Sequence, residues 1–233
     1  MNEQLVSFEL RDGVAVVGMD DGKANALSYA MLEALHGALD RADREASAVV
    51  LAGRPGRFCA GFDLKTMMAG PESAQALLTK GAELLLRLYA HPQPIVAAST
   101  GHALAGGALV LLTCDLRLGA RGDFRIGLNE VAIGLPVPIL AHELARDRLA
   151  KSALTDAVLF ARVYNPDEAT AAGYLDRVVD AERVLDEAVS EARRLGQLPR
   201  PSFSQSKRSL RRETIKYIRE TLAMNIAEFM PPG

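Results

Sequence analysis

Residues 95–118 read IVAASTGHALAGGALVLLTCDLRL, and the order of residue types in this stretch sets the fold class. Ile95 to Ser99 is an uncharged run of small and β-branched residues, the length of a buried strand. Gly101-His102-Ala103-Leu104-Ala105-Gly106-Gly107-Ala108 then turns the chain, and 105–113 predicts a compact apolar helix. Strand character resumes at 116–118. The twenty residues from Ile95 to Cys114 carry no formal charge, about enough for a bilayer span. However, Ser99, Thr100, His102 and three glycines interrupt them and Pro94 precedes them, so strand, turn and helix explain them better than a membrane helix. A strand returning to a strand through a helix is the unit of a parallel sheet.

Working outward, residues 5–10 and 14–19 predict a hairpin around Asp12–Gly13. Ser28 is placed as the N-cap of a helix reaching about Asp43, with Met31, Leu32, Leu35, Leu39 and Ala42 at helical spacing. Residues 48–52 predict a second buried strand and 73–89 a helix ended by Pro92 and Pro94. Another strand is expected at 124–126. Beyond Pro138 helices are expected at 142–145, 148–160, 166–172, 181–195 and 202–229, with one strand at 177–179. The class is α/β with a helical C-terminal region, and no repeat of fixed period is visible.

The chain has 233 residues, 49% hydrophobic and 24% charged, which excludes disorder and collagen-like repeats. Its net charge of −2 gives no global pull toward nucleic acid or anionic membrane. Cys59 and Cys114 lie far apart outside any CxxC or Cys/His cluster, against a disulfide scaffold or a zinc site and for a reducing compartment. The N-terminus lacks the basic and apolar regions of a signal peptide. A soluble, cytoplasmic protein without a metal is expected.

Two segments place small residues where a backbone must approach something closely: Phe58-Cys59-Ala60-Gly61-Phe62-Asp63-Leu64, after the Gly53-Arg54-Pro55-Gly56 loop, and the glycine turn at 101–108. Gly106 and Gly107 at a helix start leave N–H groups open to an oxyanion. Tight strand–helix packing explains such glycines equally well. Neither segment matches GxGxxG or GxxxxGK[ST]. His36, His91, His102 and His142 form no ligand set, and His102, in the glycine turn, is assigned a structural role.

FCAGFDL, then GHALAGGALVLLTCDLRL about forty residues on, then FRIGLNEVAIGLP, with KANAL near the N-terminus, resembles the crotonase (enoyl-CoA hydratase/isomerase) superfamily over about residues 5–210. The resemblance implies stacked ββα turns over residues 1–190 and a helical region at 191–233 that trimerises and covers the pocket. The substrate it implies is an acyl-CoA thioester, so coenzyme A enters with the substrate and no separate cofactor is needed. The assembly it implies is a homotrimer or hexamer. By the same resemblance the thioester oxygen is held by the backbone N–H groups of Phe62 and Gly106. CoA is read by the backbone of Ala24, Ala26, Ala60, Asp63 and Leu64 around Gly61. Lys23, Arg54, Arg57 or Lys65 could meet phosphates, and Lys207, within a basic C-terminal cluster, is a further candidate. Leu109, Val131, Ile133, Leu135, Val137 and Ile139 fit an acyl pocket.

Hydratases of this family place one Glu on the helix after the second oxyanion glycine, and here that position is Leu109. The other Glu position is retained as Glu130. Hydration needs water activated on one side and a proton delivered on the other, whereas a single carboxylate can carry a proton from C2 to C4. The pattern looks like Δ3,Δ2-enoyl-CoA isomerases of unsaturated fatty-acid breakdown. Two alternatives stay open: another crotonase reaction, such as hydration or thioester hydrolysis, and a catalytically weak CoA-binding protein. The basic tail lacks the interleaved aromatics of a nucleic-acid interface. The chain also departs from full-length hydratases in ending soon after Ser209 and in carrying Leu135-Pro136-Val137-Pro138, which leaves acyl length open.

Overall fold

The computed structural model describes residues 5–228. Strands β1 (Val6–Arg11) and β2 (Val14–Met19) pair antiparallel. Their turn is made by Asp12 and Gly13, both at positive φ (50° and 79°), the mirror-type turn that matches strand twist. The Ser28 hydroxyl accepts the Met31 N–H and starts α1 (Tyr29–Glu45), which returns the chain to β3 (Ala48–Ala52), parallel to β2.

The same course then repeats. β3 is followed by β4 (Gly56–Cys59), then α2 (Leu64–Met67) and α3 (Pro71–Tyr89). Next come β5 (Ile95–Ser99), β6 (Gly101–Leu104) and α4 (Gly106–Thr113), then β7 (Leu116–Ala120) and β8 (Ile126–Gly127). Each turn places one strand in a six-stranded sheet and one in a three-stranded sheet. The large sheet runs β1-β2-β3-β5-β7-β9 and the small one β4-β6-β8, with β9 at Arg177–Val179. A lone parallel bridge between Leu27 and Phe62 continues the small sheet back to the first turn. The architecture is therefore the expected crotonase-like spiral of ββα turns.

Alternation along the large sheet divides the core. Val17, Val49, Leu51 and Ala97 join the main cluster with the helices, and Val16, Val50, Val96 and Leu118 face the other way. That second face is covered by Val184, Ala188 and Ala192 of α8 (Val184–Gly196). Burial on both faces is why these strands read as unbroken apolar runs.

The C-terminal half is helical as expected, with one difference. The helix expected over 148–160 is broken: α5 (Ile139–Arg148) stops, Leu149 is extended, and a 3-10 turn (Lys151–Ala153) leads into α6 (Leu154–Val158). The Ala150 N–H donates instead to Ala172 O at the end of α7 (Pro166–Ala172), so a tertiary bond overrides local propensity. The division expected at residue 190 falls within α8. The last helix, α9 (Arg200–Glu228), packs along α3 and α5. Among the described residues no helix is long and apolar enough to cross a membrane.

Candidate active site

The KANAL segment is laced to the strand-end segment 59–63. Ala60 N–H donates to Ala24 O (3.0 Å), Leu27 N–H to Gly61 O (2.8 Å) and Asp63 N–H to Leu27 O (3.3 Å). Asn25, at φ 55° and fully buried, pins this junction from beneath. Its amide Nδ2 donates to the carbonyls of Met19, Arg57 and Phe58 at 2.9–3.2 Å. Sequence reasoning left Asn25 out, because an asparagine after Asp-Gly looks like any turn residue. The Asp21 carboxylate receives the N–H groups of Asn25 and Ala26 (2.8 and 3.0 Å). Burial pushes this carboxyl up, but the backbone donors outweigh it and hold it below the usual range. Several groups expected to read CoA are thus already bonded within the chain: Ala24 C=O, Ala26 N–H and Ala60 N–H.

The Asp63 N–H is bonded likewise, to Leu27 O, and its side chain is engaged as well. Its carboxylate caps α2, accepting from Thr66 N–H (2.9 Å) and Thr66 Oγ1 (2.6 Å). Thr66 bonding holds Asp63 below the ordinary carboxylate range. Leu64, the next residue, is exposed on the rim together with Met68.

The second segment meets the first at Gly61 and Gly106. Gly61 lies at φ +97°, and a Cβ there would stand 3.1 Å from the Gly106 nitrogen. Ala105, the residue before α4, holds φ 48° and ψ −123°, an uncommon conformation for a residue with a side chain. Its N–H donates to Gly127 O (3.0 Å), which ties the turn to β8. No side chain caps α4. Among the described residues neither the Phe62 N–H nor the Gly106 N–H donates to a protein acceptor, so both remain open. The bare Gly106 has a packing cause besides the expected approach of a thioester: a Cβ would lie 3.2 Å from the Phe62 ring. That ring rests on Gly81 of α3, where a Cβ would fall 2.1 Å from it. Gly81 was invisible in the sequence, since nothing local marks a helical glycine as the seat of a distant ring.

Glu130 follows β8 by three residues and starts the 3-10 turn Val131–Ile133. Register places β8 beside Leu104, two residues before Gly106. Glu130 is 6% exposed, and its Oε2 has no hydrogen-bond partner among the described residues. Burial pushes its carboxyl up to about 7. Leu109 is buried one turn along α4. It shares with Phe62 a narrow apolar pocket of about 30 Å³, lined also by Leu85, Leu140 and Leu222. Val131 and Ile133, expected in the acyl pocket, are instead 44% and 53% exposed, because the 3-10 turn carries them outward.

Among the cations, Arg54 donates to Lys23 O (3.0 Å) and lies with Arg57 around the loop before β4. Lys207 is not at this rim. It is 6% exposed, and its Nζ donates to Asp115 (2.7 Å) just beyond the C-terminal end of α4, with Gln93 O at 3.4 Å. Gly106 is at the other end of that helix, so Lys207 is corrected from a CoA contact to a buried ion-pair partner. His102 lies on β6, its Nδ1 accepting the Arg125 N–H (2.9 Å) and its ring edge-on to Phe124.

The sequence profile described as enoyl-CoA hydratase/isomerase matches residues 9–231. Human mitochondrial enoyl-CoA delta isomerase 1 is 32% identical over 215 residues, 90% of this chain and 71% of the relative. A putative enoyl-CoA hydratase of Thermus thermophilus is 37% identical over 183 residues, 75% of this chain and 71% of the relative. The crystal structure of an enoyl-CoA hydratase/isomerase family protein from Pseudomonas syringae superposes with a TM-score of 0.95 at 38% identity, covering 97% of this chain and 98% of that one.

Proposed function

The chain belongs to the enoyl-CoA hydratase/isomerase family, and from that premise we propose that it moves the double bond of a 3-enoyl-CoA to the 2-position. The observation that carries this reading is the pairing of one buried carboxylate, Glu130, whose Oε2 has no partner among the described residues, with a leucine, Leu109, where a second acid would have to stand.

In this reaction the ionised Glu130 takes the C2 proton. The C2–H electron pair passes into the C1–C2 bond, and the thioester carbonyl becomes an enolate conjugated with the C3–C4 double bond. The open amides of Phe62 and Gly106 receive the negative oxygen, and the dipole of α4 adds to them at Gly106. Such donors are aimed before reaction begins, and losing one typically costs ~2.7–4 kcal/mol. Glu130 then returns the proton at C4, leaving a C2–C3 double bond and a carboxylate ready for the next turnover. A carboxyl near pH 7 suits both halves of the shuttle, being basic enough to take the proton and acidic enough to return it.

Leu109 supports isomerisation over hydration, because a leucine can neither orient nor deprotonate water at C3. In this reading the acyl chain enters beneath Phe62, and Lys23, Arg54, Arg57 or Lys65 is assigned to the CoA phosphates. CoA is part of the substrate, and no further cofactor has a task in these steps. A homotrimer or hexamer belongs to the same reading, supported by large apolar side chains left exposed at Leu159, Phe160 and Leu210.

The test is to incubate the unmodified protein with 3-hexenoyl-CoA and with crotonyl-CoA. Conjugation of the first without water addition to the second is expected. Efficient hydration of crotonyl-CoA that survives Glu130→Gln would overturn the single-carboxylate reading.

A further inference from the structure

The pocket beneath Phe62 has a wall of leucines and one amide, Asn225 of α9. Asn225 is 9% exposed, and its Oδ1 accepts the N–H of Ile139 at 2.7 Å. Ile139 is the first residue of α5, and no side-chain cap is supplied there by Pro138. The bond fixes which way the amide faces, because only its oxygen can accept from an N–H. The Nδ2 group is left as the free donor of a residue that lines the pocket, and among the described residues it donates to no protein acceptor. An amide donor against hydrocarbon alone is disfavoured, and an oxygen brought to it is favoured. Phe62 and Leu109 line the same pocket as Asn225.

Resting on the reading of the chain as an acyl-CoA enzyme, we propose that Asn225 is a specificity-determining residue. The pocket takes acyl thioesters whose tail carries an oxygen acceptor, a hydroxyl or keto oxygen, in preference to plain hydrocarbon tails of equal length. The leucines accommodate the intervening methylenes, and the Nδ2 group receives the oxygen.

The experiment compares kcat/KM for 3-enoyl-CoA pairs matched in length, with and without a keto group near the tail end, over a series of lengths. Wild type is expected to favour the keto member at one length by roughly three- to tenfold. Asn225→Leu removes the donor and should erase that preference. Asn225→Asp, assayed at pH 8, keeps an oxygen for Ile139 but has no amide donor, and should erase it too. The readout is a ratio within one protein, so partial unfolding of a variant does not move it. Calorimetric binding of the matching saturated acyl-CoA pairs repeats the comparison without turnover. A preference in binding with no isomerisation would overturn the proposed reaction while leaving the role of Asn225 standing. A wild type without preference at any length, or a preference that survives Asn225→Leu, overturns the proposal. So does an equal fall for both tails in both variants, which would make Asn225 only a tie between α9 and α5.

Discussion

The two ends of α4 treat a carboxylate in opposite ways. Beyond its C-terminal end, Asp115 receives Lys207 Nζ (2.7 Å), Arg211 (3.0 Å) and the Ile95 N–H (2.8 Å). On the N-terminal side, Glu130 Oε2 is buried and has no partner among the described residues. A paired and hydrogen-bonded charge ties neighbouring elements together and acts as structure. An unpaired one is pushed toward neutrality and can change state near pH 7. One short helix thus separates a charge that is held from a charge that is free to work.

The contrast can be broken first at the held end. Asp115→Ala leaves Lys207 and Arg211 buried without their carboxylate, and a loss of about 3–5 kcal/mol in unfolding free energy is expected. Chemical denaturation measures it, and a loss below 1 kcal/mol would place Asp115 among ordinary surface pairs.

At the free end, Glu130→Gln should lower kcat by at least ~10²-fold while acyl-CoA affinity stays nearly unchanged. In the wild type, kcat/KM should fall as pH drops through about 7, where the carboxyl takes up its proton. Equal activity in variant and wild type, or a flat profile between pH 5 and 8, would remove Glu130 from the reaction.

The smallest effect is on stability and has the opposite sign at the two ends. Folding raises the carboxyl of Glu130 from 4.5 to about 7, so its stabilising contribution is complete below pH 4.5 and lost as pH rises through 7. Above that window the folded protein carries an ionised, unpartnered carboxylate. Glu130→Gln should therefore melt higher than wild type at pH 8, by at most roughly 3 kcal/mol, with the gain shrinking toward pH 5. Calorimetry at the two pH values checks the sign.

The same contrast explains what the sequence could reveal. Strands β3 and β5 were legible because burial on both faces makes them continuous apolar runs. β4 and β6 were not, since each is four residues opening on a glycine and a polar side chain and is held by pairing with strands distant in sequence. Glu130 and Leu109 were legible from motif context. Lys207 was misplaced because a lysine on a long helix looks the same whether it faces solvent or a buried aspartate. Asn25 and Gly81 were missed for a related reason: each answers to atoms more than fifteen residues away in the chain, the Arg57 and Phe58 carbonyls and the Phe62 ring.

The seat of the Phe62 ring on Gly81 has a consequence for anyone mapping mutational tolerance. The aromatic ring and the open amide belong to one residue, so a methyl group added to α3 shifts both together. Substitutions at 81 will damage turnover more than their distance from any reacting carbon suggests. The Phe62 amide is an oxyanion donor in the proposed reaction only, and in that reading the protein's intolerant positions trace α3 as well as the pocket.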